Sequence, residues 1–165
     1  MRIYDGNNIR NIALLGESGA GKSNMTSALE FTAKLTNKIP NSSDNVKISS
    51  SLALHAIEYQ SFKFNFFDVP GYVDFFGELE SGLAACDGAI ITVDGTADLS
   101  VGTETALELA DSRNIPRFIF VNKIDSEKAD YEKILLQLRK KYGKRIAPFH
   151  VPWGVAANFK GHINV

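Results

Sequence analysis

Short apolar runs alternate with amphipathic stretches along most of the chain. Residues 11–15 (NIALL) form a continuous apolar run that ends in a glycine, and residues 22–35 then place Met25, Ala28 and Leu29 at a spacing of three or four. A strand buried on both faces lacks polar positions, whereas a helix with one buried face repeats every three to four residues. The pattern therefore predicts a strand followed by a helix at the start of the chain.

The same alternation continues to residue 142. The predicted elements are, in order, strands at 52–59 and 62–67, a helix at 73–85, a strand at 89–93, a helix at 103–112, a strand at 117–121 and a helix at 127–142. Only Gln60 and Ser61 separate the first two of these strands, which indicates an antiparallel hairpin. Buried strands with helices between them are typical of a parallel sheet covered on both faces. The sequence predicts an α/β fold with a mostly parallel sheet and one antiparallel hairpin.

Composition excludes several classes of protein. The chain has 165 residues, of which 44% are hydrophobic and 22% charged, so we expect one globular domain rather than a disordered or fibrous chain. A net charge of −1 argues against binding to nucleic acid through bulk positive charge, and we expect no sequence-specific DNA binding. The single cysteine, Cys86, and the lack of zinc-ligand spacing indicate a cytoplasmic protein. No signal peptide and no apolar run of roughly 18 residues is present, so no membrane contact is expected.

Residues 16–23 read GESGAGKS and fit the phosphate-loop pattern G-x-x-x-x-G-K-[ST], with a predicted strand before it and a predicted helix after it. Glycines allow a tight turn, so that backbone N–H groups point at an anion near the positive end of the helix. In this pattern the lysine neutralises the β- and γ-phosphates and the hydroxyl ligates Mg²⁺. The predicted phosphate-binding residues are Gly16, Glu17, Ser18, Gly19, Ala20, Gly21, Lys22, Ser23 and Asn24. The Glu17 carboxylate would repel the phosphates, so we expect its side chain to point away from the loop.

Two further motifs follow predicted strands. Asp68-Val69-Pro70-Gly71 closes the strand FKFNFF, and a carboxylate at that end of a strand lies beside the phosphate loop, where it is predicted to hold the Mg²⁺ shell. Asn122-Lys123-Ile124-Asp125 resembles the N-K-x-D of GTPases, whose aspartate accepts hydrogen bonds from the guanine ring N–H and its exocyclic amine. Adenine presents an acceptor at that ring position, so it would leave a buried carboxylate unpaired. Together the three motifs predict a magnesium-dependent guanine nucleotide site.

With these motifs assembled, the chain resembles the GTP-binding domain of translational GTPases, and elongation factor G most closely. The resemblance is carried by NIALLGESGAGKS, DVPGYVDFFGELESGLAACDGAIITVD, VGTETALELADSRNIPRFIFVNKID and ADYEKILLQLRKKYG, and it is greatest for the diverged elongation-factor-G-like branch. It implies a P-loop NTPase fold of the GTPase type, a three-layer sandwich. It also implies that GTP/GDP and Mg²⁺ are bound, that GTP is hydrolysed to GDP and phosphate, and that two switch segments change the affinity for the ribosome.

Switch one is expected between residues 36 and 52. Ser49 corresponds to the family's threonine that caps the metal and the phosphate, with Ser50 and Ser51 as alternatives. A serine can still ligate magnesium. Because the loop before it is short and the family's usual Arg-Gly-Ile-Thr is absent, we expect this switch to be weakly ordered.

Switch two is expected to begin at Asp68, with the Gly71 N–H facing the γ-phosphate. The family places a histidine next, which positions the attacking water, whereas this chain has Tyr72. A phenol with a pKa near 10 cannot act as a base at neutral pH. Two interpretations follow: the hydroxyl orients a water and intrinsic hydrolysis is slow, or the ring packs beside Phe75 and Phe76. The candidate catalytic residues are Tyr72, Gly71 and Lys22.

The family's fifth motif, a Ser-Ala loop behind the guanine, has no match after Asp125. The predicted domains are therefore 1–145, a GTP-binding domain without its last strand and helix, and 146–165, the start of an inserted subdomain. We expect weakened guanine affinity and an exposed sheet edge prone to pairing. One alternative is a GTP/GDP-binding switch with negligible hydrolysis. The other is a P-loop ATPase or small-molecule kinase, which shares GESGAGKS but does not need NKID.

Overall fold

The computed structural model describes residues 3–37, 52–71, 76–154 and 156–165. Its main sheet has five strands in the order β2-β3-β1-β4-β5, which are β1 (Ile9–Leu15), β2 (Ala53–Tyr59), β3 (Phe62–Asp68), β4 (Gly88–Asp94) and β5 (Arg117–Asn122). Only β2 runs antiparallel, pairing with β3 as a hairpin. Within these ranges lie four α-helices, which are α1 (Lys22–Thr32), α2 (Phe76–Ala84), α3 (Val101–Ser112) and α4 (Tyr131–Tyr142). The predicted mostly parallel sheet with one hairpin is confirmed.

Two apolar clusters cover the two faces of this sheet. The larger cluster packs residues of three helices against β1 and β4, and its buried members include Ala13, Leu15, Leu83, Ile91, Val93, Ala106, Leu107, Ile134 and Leu138. The smaller cluster contains Leu14, Ile57 and Phe66, with Met25 and Leu29 of α1 packed against it. Successive strand residues point to opposite faces, which is why β1 is apolar at every position near its end. The fold is therefore a three-layer sandwich with α1 on one face and α2, α3 and α4 on the other.

The parallel strands bring the three motifs to one edge of the sheet. Leu14 on β1 lies opposite Asp68 on β3, and Asp94 on β4 lies opposite Asn122 on β5. Each of these strands runs the same way, so the phosphate loop, the DVPG turn and the NKID loop all begin at the carboxyl edge.

Helix boundaries differ from the predictions at both ends. The helix predicted from residue 127 begins at Tyr131, because the Asp130 side chain accepts a hydrogen bond from the Lys133 N–H at 3.0 Å and caps it there. Residues 127–130 are not helical, so this part of the prediction was wrong. Likewise α1 ends at Thr32, three residues early, and Lys34 already has a φ of 61°.

The helix predicted at 73–85 is observed over Phe76–Ala84, and its first three predicted residues lie outside the described ranges. Helix α3 begins two residues earlier than predicted, since the Ser100 hydroxyl accepts from the Thr103 N–H at 3.2 Å. None of the helices in the described ranges combines the length and apolar character needed to span a bilayer.

Residues after 145 form a separate antiparallel hairpin of β6 (His150–Trp153) and β7 (Gly161–Asn164), which the sequence patterns did not predict. The hairpin contacts α4 through Tyr131, whose hydroxyl donates to the His150 carbonyl oxygen at 3.2 Å. The described main sheet ends at β5, where Phe118 and Phe120 are 69% and 43% exposed.

Candidate functional site

The phosphate loop is a tight turn whose glycines meet both a conformational and a spatial requirement. Gly16 and Gly21 have φ angles of 124° and 95°, which favour glycine. A Cβ on Gly16 would lie 2.2 Å from the Thr92 carbonyl oxygen, and one on Gly21 would lie 2.2 Å from Asn122 Nδ2. The loop is therefore packed directly against β4 on one side and against the NKID loop on the other.

Lys22 is buried within this loop, with 7% of its surface exposed. Its ammonium donates to the carbonyl oxygens of Gly16 at 2.9 Å and Glu17 at 3.0 Å. Burial lowers the pKa of Lys22, although the carboxylates of Asp68 and Glu17 act in the opposite direction. A buried cation bound to neutral carbonyls is favourable when an anion completes its environment. Glu17 itself is exposed, as the loop requires if phosphates are to bind.

The start of α1 is suited to an anion. Its N-cap is Gly21, which supplies no side-chain hydrogen bond, and the first turn carries no acidic residue. The first amides of a helix need partners from outside it, and the helix dipole gives them partial positive charge. The protein thus leaves the positive end of α1 available for a phosphate.

Ser23 and Asp68 form the candidate metal site. The Ser23 hydroxyl donates to Asp68 Oδ2 at 2.9 Å, joining the phosphate loop to the end of β3. Asp68 is 2% exposed, and its second oxygen, Oδ1, is buried without a hydrogen-bond partner. An unsatisfied buried carboxylate oxygen is costly, and hard oxygen donors are the ligands that Mg²⁺ prefers. The two residues fit a magnesium ion whose remaining ligands come from phosphate and water.

Within the described ranges, no group of three or more His, Cys, Asp or Glu side chains is arranged to hold a metal ion. Magnesium commonly keeps several non-protein ligands, such as water and phosphate.

Gly71 packs on the phosphate loop. A Cβ at this position would lie 2.4 Å from the Ser18 amide nitrogen and 2.5 Å from the Gly16 carbonyl oxygen. The Val69 N–H donates to the Leu14 carbonyl oxygen at 3.2 Å, so the backbone follows β1 to its end before it turns toward the loop. The DVPG turn is thus in backbone contact with the residues predicted to bind phosphate.

The NKID loop is tied to the same place. The Asn122 side chain donates from Nδ2 to the Ala20 carbonyl oxygen at 2.9 Å, linking the end of β5 to the phosphate loop. Lys123 has a left-handed φ of 59°, and its ammonium contacts Asp94 Oδ2 at 2.5 Å. Asp125, expected from the sequence to be a buried carboxylate, is exposed in the turn that follows. An exposed carboxylate at this position is accessible to a base bound beside the phosphate loop.

The structure directly links five of the predicted site residues to the phosphate loop or to one another: Lys22, Ser23, Asp68, Gly71 and Asn122. Ser49 and Tyr72 lie outside the described residues. Sequence reasoning missed Asp94, which contacts Lys123. The signal was available, since Asp94 ends the buried run AIITV as Asp68 ends its own strand.

Comparison with known proteins gives three consistent matches. A family model for the elongation factor Tu GTP binding domain matches residues 7–161. The mitochondrial ribosome-releasing factor 2 of Culex quinquefasciatus is 34% identical over 88% of this chain and 21% of its own length. The elongation factor G-like protein of Thermotoga maritima is 28% identical over 96% of this chain and 24% of its own length.

A similar solved structure is a crystal structure of a protein from Thermus thermophilus. It has a TM-score of 0.84 and 28% identity, and the match covers 96% of this chain and 26% of that one. The chain thus spans about a quarter of the length of the relatives that it matches.

Proposed function

The chain belongs to the family of elongation factor Tu GTP-binding domains, and from this premise we propose that it binds GTP with Mg²⁺ and hydrolyses it to GDP and phosphate. The single observation that carries the proposal is the Ser23–Asp68 hydrogen bond of 2.9 Å, with Asp68 Oδ1 left open beside the buried Lys22. Such a site combines a cation for phosphate with oxygen ligands for a metal.

Each residue has a role that its position supports. The amides of residues 18–23 and the Lys22 ammonium bind the phosphates, while Ser23 and Asp68 hold the magnesium ion. When bound, the metal supplies positive charge to the phosphate oxygens. Gly71, whose backbone contacts the phosphate loop, donates its N–H to the γ-phosphate. Loss of the γ-phosphate on hydrolysis removes this hydrogen bond and releases switch two.

Guanine is recognised by the NKID loop. Asp125 accepts hydrogen bonds from the ring N–H and the exocyclic amine, and Asn122 holds the loop against Ala20 at 2.9 Å. Adenine would leave the carboxylate facing an acceptor, so an ATPase or small-molecule kinase is the weaker interpretation.

We propose that this chain hydrolyses GTP slowly by itself, because Tyr72 occupies the position at which the family has a water-positioning histidine. Tyr72 orients the attacking water through its hydroxyl, and Ser49 caps the metal and the γ-phosphate from switch one. A single-turnover comparison of wild type and Tyr72→Phe tests the first of these roles. Equal hydrolysis rates would show that the hydroxyl contributes nothing.

The larger function concerns the ribosome. We propose that residues 1–145 form the GTP-binding domain of an elongation-factor-G-like translational GTPase, and that 146–165, which include the β6–β7 hairpin, open an inserted subdomain. Hydrolysis would then change the affinity of the whole protein for the ribosome. A cytoplasmic location stays a prediction, because the relatives include mitochondrial proteins.

Phosphate release from GTP, with and without ribosomes, tests the proposed function. We expect magnesium-dependent release from GTP but not ATP, and its loss in Asp68→Asn. Asp98→Asn is the matched control, because Asp98 forms an exposed ion pair with Lys133 on the surface. Equal activity on ATP, or full activity of Asp68→Asn, would contradict the proposal. Nucleotide binding without hydrolysis, even with ribosomes, would favour the second candidate, a GTP/GDP-binding switch, which Tyr72 already supports.

A further inference from the structure

Asp94 is an acidic residue at the carboxyl edge of the sheet that belongs to none of the three motifs. It ends β4, and its partner in the sheet is Asn122, the first residue of the NKID loop. Three hydrogen bonds converge on its carboxylate. Oδ1 accepts from the Thr96 N–H at 2.9 Å and from the Thr96 hydroxyl at 2.6 Å, while Oδ2 accepts from the Lys123 ammonium at 2.5 Å.

These contacts fix the orientation of the carboxylate. Because both Thr96 bonds go to one oxygen, the other is directed at Lys123. Burial of Asp94 disfavours its charge, but hydrogen bonds from Lys123 and Thr96 outweigh that effect and lower the pKa of its carboxyl group. Asp94 therefore stays ionised at neutral pH, and its side chain is only 22% exposed.

The backbone after Asp94 is hydrogen-bonded both to the NKID loop and to the start of α4. The Gly95 N–H donates to the Asn122 carbonyl oxygen at 2.9 Å, and the Asp130 N–H donates to the Gly95 carbonyl oxygen at 2.9 Å. A Cβ on Gly95 would lie 2.7 Å from the Asn122 oxygen, so the approach is close. The turn after β4 thus contacts the first residue of the NKID loop, Asn122, and the N-cap residue of α4, Asp130.

Lys123 is held in an unfavourable conformation. Its φ of 59° lies in the left-handed region, which a non-glycine residue adopts at a cost. Such a conformation persists only where surrounding contacts fix it. The Lys123 carbonyl oxygen also accepts from the Ser126 N–H at 3.1 Å, closing the turn that contains Asp125.

We propose that Asp94 is a positioning residue for guanine recognition, acting through Lys123 to hold the NKID loop in the conformation that presents Asp125 to the base. The inference rests on the proposed function, because it assumes that this loop reads guanine. Asp94 does not contact the nucleotide in this proposal. An ordinary surface ion pair contributes little to stability. The Asp94–Lys123 pair differs because Lys123 lies in a strained turn and Thr96 fixes the Asp94 carboxylate.

The test measures dissociation of a fluorescent GDP from the full chain in wild type and Asp94→Asn. We expect about tenfold faster dissociation in the variant, as for the loss of one charge-assisted hydrogen bond in a partly exposed site. Asp98→Asn is the matched control, since it makes the same chemical change at another Asp–Lys pair, 2.7 Å from Lys133, on the solvent-exposed surface. Its dissociation rate should equal that of wild type.

A second arm separates positioning through Lys123 from a general loss of structure. In a Lys123→Met background, Asp94→Asn should change the dissociation rate less than twofold, because the partner through which it acts is gone. An undiminished effect in that background, or an unchanged rate in Asp94→Asn alone, would overturn the inference. If Asp94→Asn does not fold, Thr96→Val is measured instead. We expect GDP to dissociate about threefold faster from Thr96→Val, because one neutral hydrogen bond to Asp94 is lost. An unchanged rate in this variant would count against the inference. Failure of wild type to bind GDP would instead refute the proposed function.

Discussion

Replacing Gly71 by alanine tests the contact between the DVPG turn and the phosphate loop. The new Cβ would lie 2.4 Å from the Ser18 amide nitrogen, 2.5 Å from the Gly16 carbonyl oxygen and 2.6 Å from the Glu17 carbonyl carbon. A carbon normally stays about 3.3 Å or more from such atoms. All three neighbours are backbone atoms, so no side-chain rotation can relieve the overlap. The turn and the loop must therefore separate by about 1 Å.

Such a displacement has a large expected cost. A misplacement of about 1 Å can reduce a catalytic rate on the order of 10²-fold, and the same factor in a binding affinity corresponds to about 2.7 kcal/mol. We expect the affinity of Gly71→Ala for GDP and for a non-hydrolysable GTP analogue to fall by about this factor, because residues 16–18 belong to the loop that both nucleotides share.

The assay is an equilibrium titration with fluorescent nucleotide, accompanied by thermal unfolding without nucleotide. Gly77→Ala is the matched control, since a Cβ there has no atom within 4 Å and the residue lies in the first turn of α2. This control should melt close to the wild-type temperature and bind nucleotide normally. An affinity of Gly71→Ala within threefold of wild type would refute the steric reasoning.

Three further predictions concern single side chains. Ser23→Ala should abolish the magnesium dependence of GDP dissociation, so that EDTA accelerates dissociation in wild type but not in the variant. Asn122→Ala removes the donor to the Ala20 carbonyl oxygen and should lower the free energy of unfolding by about 1–3 kcal/mol, measured by denaturant titration. Burial raises the pKa of the Cys86 thiol from 9.0 to about 11, which lowers its thiolate fraction at pH 8 about 100-fold. Because a more basic thiolate is more nucleophilic, iodoacetamide should react roughly tenfold more slowly than with an unperturbed thiol; an equal rate would contradict this.

The sequence predicted the strand ends that carry the chemistry because each one follows from a local pattern. An apolar run that stops at Asp68, at Asn122 or at Gly16 marks both a buried strand and the polar residue that leaves it. Parallel pairing then places these residues at one edge without further information. The Ser23–Asp68 hydrogen bond and the hydrogen bond from Asn122 to the Ala20 carbonyl oxygen follow from that placement.

What the sequence did not predict depends on contacts between distant residues or on competition at an element's end. The place of Asp94 at the end of a buried strand is visible in the sequence, but its contact with Lys123 requires the register of β4 with β5, which no local pattern encodes. Residues 127–130 have helical spacing, but the side chain of Asp130 caps the helix at its own position and so excludes them. The β6 strand contains Pro152, which weakens its strand pattern.

Nucleotide affinity depends on all three motifs and guanine selectivity depends on the NKID loop, and calorimetric titration with GDP and ADP in the presence of Mg²⁺ measures both directly. A site formed by the phosphate loop, Asp68 and Asp125 should bind GDP and show little or no binding of ADP at the same concentration, because adenine presents a ring acceptor to Asp125 where guanine presents a ring N–H. Equal affinity for the two nucleotides, or no affinity for either, would contradict the assignment of this chain as a guanine nucleotide-binding domain.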